Sequence, residues 1–217
     1  MGARSTPSTR RSRVGRMRKL SLALGLLAAS GLARAESVDF NLGPDSFRGF
    51  LSGPLSRLAG NLSGQYDTGF IYKQGEDNST DAKDAELKLA HFGVLATGDV
   101  GARGAEAAAG LGARLIYADR ELAGDSASGG ALAFGGQFDV RWPGYERVGV
   151  TGYGWYAPEL TSFSGLKSYH EVALDLEFEV VRAAAVYAGY RLVNLKPEAG
   201  GDGEVDSSGH IGIRLNF

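Results

Sequence analysis

The chain has 217 residues with 33 Gly, 6 Pro and no Cys, which fits one large domain and excludes a disulfide framework, thiolate metal sites, a cysteine nucleophile and a lipidated N-terminal cysteine. A glycine share of about 15%, against a background of roughly 7%, argues against a helical bundle, since Gly weakens a helix interior by about 1 kcal/mol. The net charge of −2 hides a split: residues 1–35 carry eight basic residues and no acid, and the rest carry 15 basic and 25 acidic residues, a net −10 that is unsuited to nucleic acid.

At the N-terminus, basic residues up to Lys19 precede the apolar run Leu20–Leu32 and then Ala33-Arg34-Ala35. This order is that of a cleaved signal peptide over residues 1–35, with Ala33 and Ala35 as the cleavage-site residues. Thirteen mostly apolar residues are too few for a membrane helix, which needs about 20. Thr9-Arg10-Arg11 lacks the apolar residues that directly follow a twin-arginine motif. Met17-Arg18-Lys19 with the same run already makes a complete signal, so Met17 is an alternative start. Residues 36–217 read as a single domain, and any membrane crossing in it must be made by strands.

Period-two alternation runs through that domain. Val38–Leu42 and Phe47–Leu51 form a short first hairpin within 36–52, turning at Gly43-Pro44-Asp45. Leu62–Lys73 alternates next, followed more faintly by Ala85–Thr97 and Ala105–Asp119. Alanines at Glu106–Ala113 could suit a helix, but Gly104, Gly110 and Gly112 weigh against it. Ala131–Trp142 alternates clearly, as do Val148–Ala157, His170–Val180, Ala184–Val193 and Ser207–Phe217. In His170–Val180, Val172, Leu174, Leu176, Phe178 and Val180 oppose Glu171, Asp175, Glu177 and Glu179. A helix would scatter those acids around its circumference, whereas a strand gathers them on one face.

Connections also alternate: Gln74–Lys83, Arg120–Gly129, Pro158–Lys167 and Lys196–Asp206 are long and polar, and Gly98–Gly104, Pro143–Arg147 and Val181–Ala183 are short. They are too brief for parallel crossovers. The expected fold is all-β: an antiparallel up-and-down transmembrane β-barrel of 8 to 10 strands. Alternation alone also fits a soluble barrel with an apolar interior. The aromatic residues near strand ends, among them Tyr66, Tyr72, Tyr169, Tyr187 and Tyr190, favour a membrane girdle. So does the terminal strand Ile213, Leu215, Phe217, read as an assembly signal for the barrel-assembly machinery.

The sequence resembles the YfaZ family of outer-membrane proteins in Asp39-Phe40-Asn41-Leu42 with Asp45-Ser46, Tyr156-Ala157-Pro158 with Leu160, Gly189-Tyr190-Arg191 and the ending Gly212 to Phe217. The resemblance covers nearly all of residues 36–217. It implies a small outer-membrane barrel in the bacterial outer membrane and carries no established activity.

The inward face should hold a charge network of Glu171, Asp175, Glu177, Glu179, Arg114, Arg141, Arg191 and Arg214, joined by Glu86 and Lys88, because unpaired charge is expensive in a dry interior. A polar, largely plugged lumen with a structural or interaction role at the cell surface is the expected function. The alternatives are a narrow channel for small solutes or ions and an outer-membrane enzyme acting on lipid. No enzymatic activity is expected: His210, with Asp206, Ser207 and Ser208 nearby in sequence, reads as a rim residue hydrogen-bonded in the lumen. His91 and His170 fall on the lipid-facing parity. Asp77, Asn78, Asp81 and Asp84 lack the spacing of a calcium loop and read as solvated. No metal or cofactor is expected. The expected partners are outer-membrane lipid and lipopolysaccharide, around a monomer.

Overall fold

The computed structural model describes residues 36–59, 63–75, 85–101, 105–122, 125–198 and 203–217, and in them the alternation becomes one antiparallel sheet. Its strands are β1 (Ser37–Leu42), β2 (Ser46–Pro54), β3 (Gln65–Lys73), β4 (Glu86–Asp99), β5 (Glu106–Leu122), β6 (Asp125–Arg141), β7 (Val148–Ala157), β8 (Ser162–Phe163), β9 (Leu166–Val181), β10 (Ala184–Pro197) and β11 (Glu204–Asn216). A single turn of helix, α1 (Ser56–Ala59), lies between β2 and β3. Strands pair in chain order, with β7 on β9, and the β1–β11 ladder closes a ring of ten. The two-residue β8 stays outside that ring, pairing with Gly130 and Ala131 of β6 beyond the end of the shorter β7. It turns into β9 through Ser164 and Gly165, both at positive φ, where glycine is the residue that adopts the backbone without strain.

An even number of strands brings both ends of the ring to one rim, where Ser37 lies opposite Asn216. Connections 55–64, 100–105, 142–147 and 182–183 share that rim, and 43–45, 74–85, 123–124, 158–165 and 198–203 lie at the other. The expected long loop Arg120–Gly129 is instead a continuation of the hairpin. The β5–β6 ladder runs on to Leu122↔Asp125. The rims are thus less regular than expected, and 55–64 at the terminal rim is among the longer connections. Leu62, read as strand, lies outside the described residues, and β3 begins at Gln65. The segment 1–35 with Ala33 and Ala35, and the acidic stretch from Asp77 to Asp84, also lie outside them.

Which face looks inward is decided by exposure. On β9, Leu174 is 56% exposed and its neighbour Asp175 only 5%. Val172, Leu176 and Phe178 are likewise exposed, and Glu171 and Glu177 are buried. The outer surface is apolar on the other strands too, at Leu111, Leu115, Phe134, Val186 and Ile211. This inverts a soluble barrel and gives a closed ring with no sheet edge, which is how strands can cross hydrocarbon. Exposed tyrosines 72, 117, 156 and 190 lie on the outer face, but Tyr66, Tyr169 and Tyr187 are buried and do not belong to a girdle.

Tight coiling explains part of the glycine content. A Cβ on Gly112 would meet the Cα of Leu95 at 2.8 Å, and one on Gly135 would meet the Cα of Trp155 at 2.9 Å. Neighbouring backbones pack so closely here that only glycine fits without displacing a strand.

Candidate functional site

The lumen is built from alternate residues of all ten strands, and it changes character with height. Towards the rim of connections 74–85 and 158–165, the inward residues are mainly apolar, with the charged Lys73 and Arg120 buried beside them. Ile71, Leu87, Leu89, Ile116, Trp155 and Tyr169, with Val193, Leu195 and Val205, are each at most 2% exposed and join one cluster. This apolar storey explains why β4 departs from the expected parity. Its leucines point into the lumen, so Lys88 and Glu86 face outward as an ion pair on each other, and His91 follows the leucines inward, buried against Phe50 at 5.8 Å between ring centroids. His170 faces outward as expected, opposite Asn194 on β10.

Below the apolar storey lies a belt of buried ion pairs. Arg114 of β5 pairs with Asp67 of β3, has Nη1 3.7 Å from Glu171 of β9, and lies 4.0 Å over the Trp155 ring. Glu171 accepts hydrogen bonds from the hydroxyls of Tyr153 (2.7 Å) and Tyr169 (2.5 Å). A second cluster surrounds Arg191 of β10. Its Nε and Nη2 donate to Asp206 at 3.0 and 2.8 Å, Nη1 donates to Asn41 at 3.1 Å and Nη2 also donates to Ser46 at 3.0 Å. Ser208 Oγ donates to the other oxygen of Asp206 at 2.7 Å. His210 is not a rim residue. It is buried with Nε2 2.8 Å from Asp175 Oδ1 and its ring edge-on to Tyr187.

Nearer the terminal rim, Glu177 takes Arg141 from β6 and Arg214 from β11. These arrive from strands two places away on either side, which a narrow bore permits. Arg141 also reaches Glu179 at 3.5 Å and Asp139 at 3.6 Å, and Arg214 Nε donates to Asp39 at 3.1 Å. The eight charged residues expected in the lumen thus all face it, but as local clusters rather than one ladder, two of which are linked by hydrogen bonds from Arg191 through Asn41, Tyr187 and Asp39 to Arg214. Asp67, Asp206, Asp39 and Arg48 complete those clusters. Each carries the inward parity of its own strand, a signal that was present in the sequence and would have found them.

Under the belt the lumen opens into a vestibule of about 390 Å³, lined by Asp39, Arg48, Phe50, Gln65, Tyr153 and Arg214 among others. Gln137 Nε2 donates across it to Gln65 Oε1 at 3.0 Å. Ser37, Ser52, Gln65, Thr97 and Asn216 also line a second cavity at the terminal rim, so the vestibule faces that side. Ile213 and Leu215 sit on the outer face of β11, opposite Phe40 and Val38, and the Phe217 N–H donates to the Glu36 carbonyl at 2.9 Å.

An apolar outer surface around an ion-paired interior defines a barrel of the membrane-spanning class, and no helix among the described residues is long and apolar enough to cross a membrane. The chain belongs to the YfaZ precursor family, whose match spans residues 17–217. Among solved structures it is similar to the translocator domain of autotransporter NalP from Neisseria meningitidis, with 12% identity, a TM-score of 0.35, and coverage of 94% of this chain and 96% of that one. No curated protein matches it.

Proposed function

We propose that residues 1–35 direct export and are removed, and that the barrel resides in the bacterial outer membrane as a monomer closed to through-passage, with a structural or interaction role at the cell surface. The observation that carries this reading is the apolar storey stacked on the ion-pair belt. A hydrated ion would have to shed much of its water to pass Leu87, Leu89 and Ile116, whose side chains offer nothing in exchange, and the charged groups at that level, Lys73 and Arg120, are themselves buried. The loops at 74–85 and 158–165 then face outward towards lipopolysaccharide, and Ile213, Leu215 and Phe217 serve the assembly machinery. We assign no catalysis: His210 is engaged by Asp175, and Arg114, Arg141, Arg191 and Arg214 are each held in a pair with an acid.

Three measurements test this. Heat-modifiable migration with outer-membrane fractionation is expected, and recovery in the soluble periplasm would reverse the location. Purified protein in planar bilayers should give no reproducible single-channel steps, whereas clear steps would favour the narrow-channel reading. Lipid A and phospholipid should keep their masses on incubation, and a change lost in His210→Ala would instead make the barrel an enzyme.

A further inference from the structure

We infer that the vestibule is a binding site for a small organic monocarboxylate, entering from the rim that carries the chain ends, with its carboxylate held by Arg48.

Arg48 differs from the other buried arginines. Arg114, Arg141, Arg191 and Arg214 each pair directly with an acid. Arg48 is 5% exposed, yet among the described residues its one hydrogen bond goes from Nη1 to the Tyr153 hydroxyl at 2.9 Å, and its buried Nε has no partner. Its link to a carboxylate is indirect, since the Tyr153 hydroxyl accepts from Arg48 and donates a hydrogen bond to Glu171 at 2.7 Å. Aromatic rings hold the guanidinium in place, with the centroids of Phe50 and Tyr153 at 4.9 and 4.8 Å. A guanidinium has five N–H donors in one plane, a fork that matches a carboxylate. One Nη1 proton is used and Nε is sealed off, so the three remaining protons on Nη1 and Nη2 are the ones unpaired towards the cavity.

The rest of the lining narrows the ligand. Asp39 takes Tyr187 and Arg214 on its two oxygens, and Asp175 takes His210 on Oδ1. Thr151 adds a buried hydroxyl with no partner. The unpaired donors at the inner end include those of Arg48 and the Thr151 hydroxyl. Towards the mouth, Asp139 has a side chain 38% exposed and only a 3.6 Å contact to Arg141. A second negative charge on the ligand would meet it, so a monoanion fits better than phosphate or a dicarboxylate. Phe50 offers a flat apolar wall for the body of the molecule. The volume of about 390 Å³ lies in the lower part of the range of small-molecule pockets.

The inference needs only the folded barrel, not its cellular location. The test uses the folded barrel in nanodiscs, its integrity checked by heat-modifiable migration, with titration calorimetry against propionate, isovalerate and benzoate and with empty nanodiscs as the blank. At least one of these should bind saturably at one site per barrel, with the matching neutral amide weaker by at least tenfold and inorganic phosphate weaker than the acid. Arg48→Gln should lower affinity at least tenfold. Thr151→Phe, which fills the cavity and leaves Arg48 intact, should do the same and serves if the arginine variant fails to fold. No saturable binding by any of the three acids, equal binding of acid and amide, tighter binding of phosphate, or unchanged affinity in a folded variant would each overturn the assignment.

Discussion

The two ends of the lumen solve the same problem, filling a narrow ring, by opposite means. At one end Leu87, Leu89, Ile116 and Trp155 pack mainly as in a soluble core, with the charged side chains of Lys73 and Arg120 buried beside Leu87. At the other, Arg141, Arg214, Glu177 and Asp39 share hydrogen bonds beside open space. Apolar filling gains from burial itself and tolerates no water. Ionic filling is stable only while every partner is in place, and it leaves room where pairs end.

The belt between these ends should be the most sensitive place. Arg114→Met leaves Asp67 and Glu171 buried with no direct cation, and we expect a loss of about 3–5 kcal/mol in reversible urea unfolding of the detergent-folded barrel. A loss under 1 kcal/mol would mean that water reaches the belt. Leu89→Ala opens a cavity in the apolar storey and should lower stability by about 2–4 kcal/mol without producing conductance. Appearance of single-channel steps in this variant would locate the barrier to passage at that leucine. Arg141→Met, at the mouth, should cost about 1 kcal/mol or less, because its guanidinium is part-exposed and solvent can take over. A cost as large as that of Arg114→Met would erase the distinction between belt and vestibule. The smallest effect is expected from the double variant Arg191→Met, Asp206→Leu, where an apolar pair of similar volume replaces a buried ion pair and stability should stay within about 1 kcal/mol. Single replacement of Asp206 by Leu should be much worse, and equal effects would argue that the two residues do not act as a pair.

Much of the ring was legible. Alternation in Ala131–Trp142, His170–Val180 and Ser207–Phe217 named strands, and the acids of β9 named one inward face. The sequence was harder to interpret where the lumen itself is apolar. Leucines 87 and 89 look like lipid contacts, so β4 came out inverted, and Lys88 and His91 were exchanged between faces. Alternation reports that two faces differ, not which medium each one meets. The full length of the β5–β6 ladder was hidden for a related reason: small polar residues signal loops, yet their backbone can continue a ladder. The clusters themselves were not readable, because which arginine meets which acid depends on register across strands far apart in the chain, as with Arg141, Arg214 and Glu177.

The ladders that close the ring are unequal in length. β1 is tied to β11 and to β2 over six residues each, whereas β5 and β6 share seventeen. Local opening begins where the fewest bonds must break together. Amide exchange should therefore be fastest along Ser37–Leu42, and thermal fluctuations would part the wall where the first and last strands meet. The long β5–β6 hairpin would stay zipped, so the barrel would unfurl from one side like a scroll.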